Sequence, residues 1–228
     1  MRDLYKDMDE TLFSKLFTEL TNYQSPYRRD CSFKPQRLQR DLINIGSVFH
    51  PRSPCNDWGS SAMAALDRTL ACDLPSYASS LYMLVDSLDS LSGKRVLQIG
   101  CNIALFLEFL INKYGVEGVG IDLNPKSVSV GQQAGLDLRC IDATSNMPDS
   151  LGTFDAIVAH HFLDLHYFNH DTAPLIECLV QSHRRLKPGG ILVAGNSYTP
   201  TEVFMPTSFQ KIVVYASGDC QQNYTLHK

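Results

Sequence analysis

Residues 94–122 read KRVLQIGCNIALFLEFLINKYGVEGVGID, and this stretch decides the fold. A short apolar run, 96–99, meets a small-residue turn that begins at Gly100. An amphipathic helical pattern follows, and a second apolar run ends in Asp122. This order predicts a βαβ unit with a glycine at its first turn and an acid at the tip of its second strand. Such a turn lets the backbone approach a ligand closely, and the acid is placed to hold a ribose diol.

The chain continues after residue 122 with the same alternation of strands and helices. Continuous apolar runs predict parallel strands that are covered on both faces. The predicted strands are 95–99, 118–122, 137–141, 154–159 and 190–195, and the predicted helices are 103–114, 125–134 and 172–186. Two later runs, 212–216 and 224–226, predict a short terminal antiparallel pair. We therefore expect an α/β fold with a doubly wound, mostly parallel sheet over residues 93–228.

The first ninety residues show helical periodicity instead. Apolar residues recur at helical spacing over 12–20, 38–45 and 77–88. The segment 50–61 is rich in Pro, Ser, Asn and Gly, which is typical of turns. We therefore predict that residues 1–92 form a helical N-terminal cap or extension that covers the substrate side of the sheet.

The composition is that of an ordinary globular chain of 228 residues with a net charge of -4. This acidic balance does not favour nucleic-acid binding. Seven cysteines without a CxxC pair predict neither a zinc site nor a disulfide framework, and they fit a reducing compartment. No run approaches the roughly 20 apolar residues of a membrane span, and the charged N-terminus does not read as a signal peptide. We expect a cytoplasmic protein that does not enter a membrane.

From residue 93 to residue 196 the chain resembles the class I S-adenosylmethionine-dependent methyltransferases. Five segments carry the resemblance in the family's order: VLQIGCNIA (96–104), VGIDLNP (119–125), CIDAT (140–144), FDAIVAHHFLDL (154–165) and RLKPGGILV (185–193). The resemblance implies a Rossmann-like fold, S-adenosylmethionine as the cofactor and S-adenosylhomocysteine as the product.

The resemblance also implies roles for individual residues. Asp122 would hold the ribose hydroxyls, Asp142 would accept from the adenine amino group, and Ala143 would offer a backbone N–H. The residues implied to contact the cofactor are Gln98, Gly100, Cys101, Asn102, Asp122, Leu123, Asp142, Ala143 and His160. A purely structural alternative stays open for the two acids, because Asp142 could cap a turn and Asp122 could start a helix.

The first of these segments departs from the family pattern at three positions. Gln98 stands where the family has an acid that supports the ammonium group of the cofactor, and glutamine lacks the charge. Asn102 and Ala104 stand where the family has its second and third glycines. The departures motivate a second hypothesis, a catalytically silent methyltransferase-like protein that binds or regulates a partner. Nicotinamide dinucleotide binding is disfavoured, because the GxGxxG pattern is interrupted at Asn102 and Leu105.

Methyl transfer requires an acceptor held in line and, for a weakly acidic acceptor, a general base. The loop after the strand 154–159 places two histidines at this point of the fold. We predict His161 as the general base and His160 as the second candidate, although both could merely satisfy backbone groups at a strand end. His166 and His170 have helical ligand spacing, but 169–172 reads as a loop and helix cap. We therefore expect no metal site.

The sequence does not identify the methyl acceptor. The loop lacks the [DN]-P-P-[YFW] motif of amino-group methyltransferases, and no Pro-Cys nucleophile is present, so oxygen, nitrogen and carbon acceptors stay open. We expect a small molecule. A third hypothesis, a nucleic-acid methyltransferase, depends on the basic run 28–40 and on Tyr27 and Phe33 for base stacking, and the acidic net charge argues against it. No feature indicates an oligomeric state.

Overall fold

The computed structural model describes residues 3–26, 74–160, 162–163, 168, 170–197, 199–204, 207–216 and 222–228. The strands are β1 (Asp3–Asp7), β2 (Arg95–Ile99), β3 (Glu117–Asp122), β4 (Asp137–Cys140), β5 (Phe154–His160), β6 (Leu186–Ser197), β7 (Lys211–Ala216) and β8 (Gln222–His227). The helices are α1 (Glu10–Thr21), α2 (Leu74–Ser87), α3 (Leu105–Tyr114), α4 (Pro125–Gln133) and α5 (Thr172–Arg185). The predicted helical stripe 38–45, the turn segment 50–61 and the basic run 28–40 lie outside the described residues.

These eight strands form a single sheet in the order β1-β7-β8-β6-β5-β2-β3-β4. The strands β2 to β6 are parallel to one another, and β8 is antiparallel to both β6 and β7. The chain builds β2, β3 and β4 in one direction and then returns to β5 on the other side of β2. Ligands of open α/β sheets bind at the carboxyl ends of the strands where the order reverses in this way. The predicted doubly wound, mostly parallel sheet and the terminal antiparallel pair are confirmed.

Helices cover both faces of the sheet. On β5, Val158 packs into a core shared with α1, α2 and α3, while Ile157 and Ala159 pack into a second core shared with α5. Because both faces are buried, successive residues of a central strand are apolar, which explains the continuous runs in the sequence.

The start of β6 corrects one detail of the sequence reading. The strand predicted over 190–195 begins earlier, because α5 ends at Arg185 and the next residue, Leu186, is already extended. Leu186 pairs with Phe154 of β5, but the register then shifts before the next pair. Gly189 and Gly190 therefore belong to an irregular, bulged start of β6, where Gly189 has a φ of 74°.

The edge strand β1 is absent from the helical prediction for residues 1–92. It pairs in parallel with β7. The Nζ of Lys6 lies 2.6 and 2.7 Å from the two carboxylate oxygens of Asp86 on α2, and this hydrogen bond raises the pKa of Lys6. The hydroxyl of Tyr215 on β7 donates to the same carboxylate at 2.8 Å. Asp86 is 80 residues from Lys6 and 129 residues from Tyr215 in the chain. Local periodicity in the sequence therefore gives no indication of this strand.

Helices α1 and α2 match the predicted stripes 12–20 and 77–88. The carboxylate of Asp9 caps α1 by accepting from the backbone N–H of Leu12 at 2.8 Å. Helix α2 contacts α1, β5 and β6, and the buried side chains of both helices share a core with Val213 and Tyr215 of β7. The division of the chain between residues 92 and 93 stays a prediction.

Candidate functional site

The turn after β2 contains three residues in the left-handed region of backbone space. Gly100, Asn102 and Ala104 have φ angles of 64°, 50° and 60°. A left-handed conformation costs an L-residue about 1–2 kcal/mol, with Asn penalised less than most, whereas glycine adopts it freely. Asn102 and Ala104 occupy the positions at which the resemblance implies glycines. The backbone of the turn is therefore left-handed at all three positions, although only the first of them is a glycine.

Gly100 also allows a close approach between two loops. A β-carbon on Gly100 would come within 3.2 Å of Cδ2 of Phe162, which follows β5. Phe162 in turn packs edge-on against Phe168, with 5.8 Å between the ring centroids. The turn after β2 and the loop after β5 are thus in contact at the point where the strand order reverses.

Asp122 joins the tip of β3 to the turn after β2. Its Oδ2 accepts from the backbone N–H of Asn102 at 2.7 Å, and its Oδ1 accepts from the N–H of Asn124 at 2.8 Å. Burial raises the pKa of the Asp122 carboxyl, while these backbone donors oppose that shift. The cap of α4 is the side chain of Asn124, not Asp122. Residues 122–125 therefore do start a helix, as the structural alternative predicted, but Asn124 rather than Asp122 supplies the cap.

Leu123, the next residue, is 47% exposed. It is the large hydrophobic side chain that the described part of the chain leaves most open to solvent. An exposed leucine alone needs no explanation. Beside Asp122, however, it provides an apolar surface next to a carboxylate that is already oriented.

Asp142 forms a turn of its own after β4. Its Oδ1 accepts from the N–H of Thr144 at 2.8 Å and from the hydroxyl of Thr144 at 2.7 Å. Asp142 therefore caps a turn, as the structural alternative predicted, but it does so through Oδ1 alone. Neither of these two bonds involves Oδ2. Ala143 is buried inside this turn, and the N–H of Ile141 donates to the carbonyl of Asp122 at 3.1 Å. The turns after β3 and β4 are thus adjacent.

Cys101 has a supporting position in the turn after β2. Its side chain is buried, its N–H donates to the carbonyl of Ile121 at 3.1 Å, and its carbonyl accepts from Ala104 at 2.7 Å. Both backbone groups are therefore engaged within the protein, and the contribution of Cys101 is to anchor the turn to β3.

Gln98 is a buried amide in the middle of the sheet. It is 1% exposed and lies on β2 opposite Gly120 of β3 and Val158 of β5. Its Oε1 is buried and has no hydrogen-bond partner among the described residues. A buried, unsatisfied carbonyl is uncommon because it costs about 1–3 kcal/mol, so its presence needs a reason.

His160 ends β5 two residues after Val158, so it faces the same side of the sheet as Gln98. It is 8% exposed, and its Nδ1 lies 3.0 Å from Oγ of Ser80 on α2. His161, the first predicted base, lies outside the described residues, as does His166. Ser80 was not a candidate from the sequence, because a serine within an apolar helical stripe carries no functional signal.

Three residues from different segments hold the loops after β5 and β6 together. The hydroxyl of Thr199 donates to the carbonyl of Leu163 at 2.8 Å, and the hydroxyl of Tyr224 on β8 donates to the carbonyl of Thr199 at 2.6 Å. This chain of bonds fixes the rim of the site from the antiparallel strand. No sequence motif indicated it.

No group of three or more His, Cys, Asp or Glu side chains in the described ranges could hold a metal ion. Likewise, no helix in these ranges is both long and apolar enough to span a bilayer.

This region is similar to a known protein family. A family model described as a methyltransferase domain matches residues 96–190. A comparison with curated proteins gives no match.

Several solved structures are similar to this chain. TrmN from Thermus thermophilus is 17% identical, with a TM-score of 0.52 over 67% of this chain and 48% of that chain. This chain therefore spans about half the length of TrmN. The N-methyltransferase NodS from Bradyrhizobium japonicum WM9 is 19% identical, with a TM-score of 0.49 over 65% of this chain and 92% of that chain. CalS10, an amino pentose methyltransferase from Micromonospora echinaspora, is 19% identical, with a TM-score of 0.42 over 66% and 55%. The likeness to TrmN concerns the fold.

Proposed function

We propose that this chain, whose residues 96–190 match a family model described as a methyltransferase domain, is an S-adenosylmethionine-dependent methyltransferase with a small-molecule acceptor. The observation that carries the proposal is the pair of backbone hydrogen bonds that orient Asp122 and connect it to the turn after β2. S-adenosylhomocysteine would be the product, and the cytoplasm the expected location.

The adenosine half of the cofactor fits the turns after β3 and β4. Each carboxylate oxygen of Asp122 accepts one backbone N–H and can accept a second bond, so two ribose hydroxyls can be held at once. The exposed side chain of Leu123 offers an apolar contact for the adenine ring. Asp142 and the backbone of Ala143 are assigned to the adenine edge.

The methionine half fits the buried amide of Gln98. A cofactor ammonium would donate to Oε1 of Gln98, the atom that has no partner among the described residues. Such a bond gives a reason for the unsatisfied carbonyl. Gly100 and Asn102 are assigned to the same half, because they lie with left-handed backbone in the turn that directly follows β2, while Cys101 anchors that turn.

When bound, S-adenosylmethionine supplies a methyl group on a positively charged sulfur, which an acceptor atom takes by direct in-line displacement. The protein's own task is to hold the acceptor in line and to remove its proton. His161 stays the first predicted base. His160 is the candidate within the described residues, since it ends β5 on the same face as Gln98.

Calorimetric titration with S-adenosylmethionine and S-adenosylhomocysteine tests the proposal on the wild type and on Asp122→Ala. We expect binding at least about tenfold weaker in the variant, because hydrogen bonds to a charged group are worth about 1.5–3 kcal/mol. Asp137→Ala is the matched control, since this exposed carboxylate lies at the opposite end of β4 and pairs with Arg139. Equal affinity in Asp122→Ala and wild type would refute the site assignment, and no binding at millimolar ligand would refute the cofactor.

A catalytically silent relative is the second candidate function. The neutral amide at Gln98 and the strained backbone of Ala104 favour it, because both depart from the family's motif. It predicts that S-adenosylhomocysteine binds although no component of a cell extract accepts a labelled methyl group. Transfer into any component of the extract would exclude this candidate.

The nucleic-acid hypothesis depends on the basic run 28–40, which lies outside the described residues. It predicts RNA or DNA binding that weakens steeply with salt, because phosphate contacts release counterions. Lack of retention on a polyanion column at low salt would count against it.

A further inference from the structure

The imidazole of His160 is enclosed by two helices. Its ring packs edge-on against Tyr77 of α2 and Phe106 of α3, with centroid distances of 4.3 and 4.7 Å. The rings of Tyr77 and Phe106 are stacked on each other at 4.9 Å and 6°. This aromatic pair fixes where the imidazole lies. These ring contacts do not determine which nitrogen of the imidazole carries the proton.

We propose that Ser80 is a positioning residue for His160. The hydroxyl oxygen of Ser80 accepts a hydrogen bond from Nδ1–H of His160 and thereby keeps the basic lone pair of the neutral ring on Nε2. The inference rests on the proposed function and deepens it, because a basic nitrogen at this place matters only if the site removes a proton from an acceptor.

The direction of the bond follows from the position of Ser80. Ser80 is fully buried within α2, and a serine inside a helix has the carbonyl four residues earlier as an acceptor for its own proton. Its oxygen is then available to accept from Nδ1 of His160, 3.0 Å away. A neutral imidazole carries one proton, so a proton held on Nδ1 leaves Nε2 as the base.

Helix α2 therefore supplies two constraints from one face. Tyr77 and Ser80 are three residues apart, so they lie on the same side of the helix. Tyr77 fixes the plane of the ring and Ser80 fixes its tautomer. A helix from the predicted N-terminal extension would thus take part directly in the chemistry of the sheet domain.

Nitrogen NMR of the full chain labelled with ¹⁵N-histidine tests this inference. His160→Gln identifies the resonances of His160 among the seven histidines. In the wild type we expect the Nδ1–H tautomer to predominate at His160. In Ser80→Ala we expect the Nε2–H tautomer, which free histidine prefers, to become the major form. Ser79→Ala is the matched control, because it removes a neighbouring buried hydroxyl of the same helix and should leave the spectrum unchanged.

Two results would overturn the inference: a wild-type spectrum dominated by Nε2–H, or an unchanged spectrum in Ser80→Ala. If Ser80→Ala does not fold, Ser80→Cys keeps the size of the side chain with a poor acceptor and carries the same expectation. Calorimetry with S-adenosylhomocysteine separates this inference from the proposed function. A tautomer change in a protein that does not bind the ligand would refute the methyltransferase proposal, whereas ligand binding without a tautomer change would refute the role of Ser80.

Discussion

Replacing Gln98 with methionine should make the protein more stable. Gln98 is buried, and its Oε1 has no partner among the described residues, which costs about 1–3 kcal/mol. Methionine is unbranched, similar in length and apolar, so it fills the space without this penalty. We expect the free energy of unfolding to rise by about 1 kcal/mol, the lower end of this range. The thermal midpoint should rise by about 2–4 °C.

The same substitution should weaken cofactor binding. Under the proposed function, Oε1 accepts from the cofactor ammonium, and a hydrogen bond to a charged group is worth about 1.5–3 kcal/mol. Affinity for S-adenosylhomocysteine should therefore fall about 10- to 100-fold. The two effects have opposite signs, which a generally damaged protein would not show.

Urea unfolding followed by circular dichroism measures the stability, and calorimetry measures the affinity. Gln181→Met is the matched control, because Gln181 on α5 is also buried with an unpartnered Oε1, and only its amide nitrogen donates, to Glu177 at 2.6 Å. It should change stability in a similar way and leave binding unaffected. A Gln98→Met variant that is less stable, or that binds the ligand as well as the wild type, would refute the reasoning.

Two further predictions concern stability. Gly100→Ala should lower the free energy of unfolding by about 1 kcal/mol more than Gly93→Ala does, as measured by urea titration. Both glycines have a left-handed φ, but only at Gly100 would the new β-carbon lie against Phe162. Equal losses of stability in the two variants would contradict the importance of this contact. Burial lowers the pKa of His227, and the charge of Lys211 lowers it further. The unfolded chain therefore binds more protons as the pH falls through about 6.5, and stability decreases there. His227→Gln should lose less stability than the wild type over this range, by under about 1 kcal/mol, and identical pH profiles would refute this account.

The fold of residues 93–228 could be predicted because its signals are local. Each central strand contains an apolar run, and Gly100 and Asp122 mark the ends of β2 and β3. The strand β1 could not be predicted, since the side chain that holds it, Asp86, is 80 residues from Lys6 in the chain. The bulged start of β6 was missed because glycines after a helix normally indicate its end.

The candidate site was predicted in part. Sequence pattern located Gln98 and Asp122, but it could not show that the carbonyl of Gln98 is unsatisfied or that Asn124 takes over the helix cap. Sequence pattern marked Ala104 as standing at a glycine position, and the structure adds that its backbone is left-handed, with a φ of 60°. Ser80 could not be predicted from the sequence, because its proposed role depends on a tertiary contact with His160.

The placement of β1 at the edge of the sheet has a practical consequence for handling the protein. β7 reads KIVVYA, and β1 occupies its outer row of backbone hydrogen-bonding groups. A shortened chain without residues 1–9 would uncover that row, and an uncovered apolar edge strand is a template for pairing with a second molecule. We therefore expect removal of residues 1–9 to produce concentration-dependent association in light scattering.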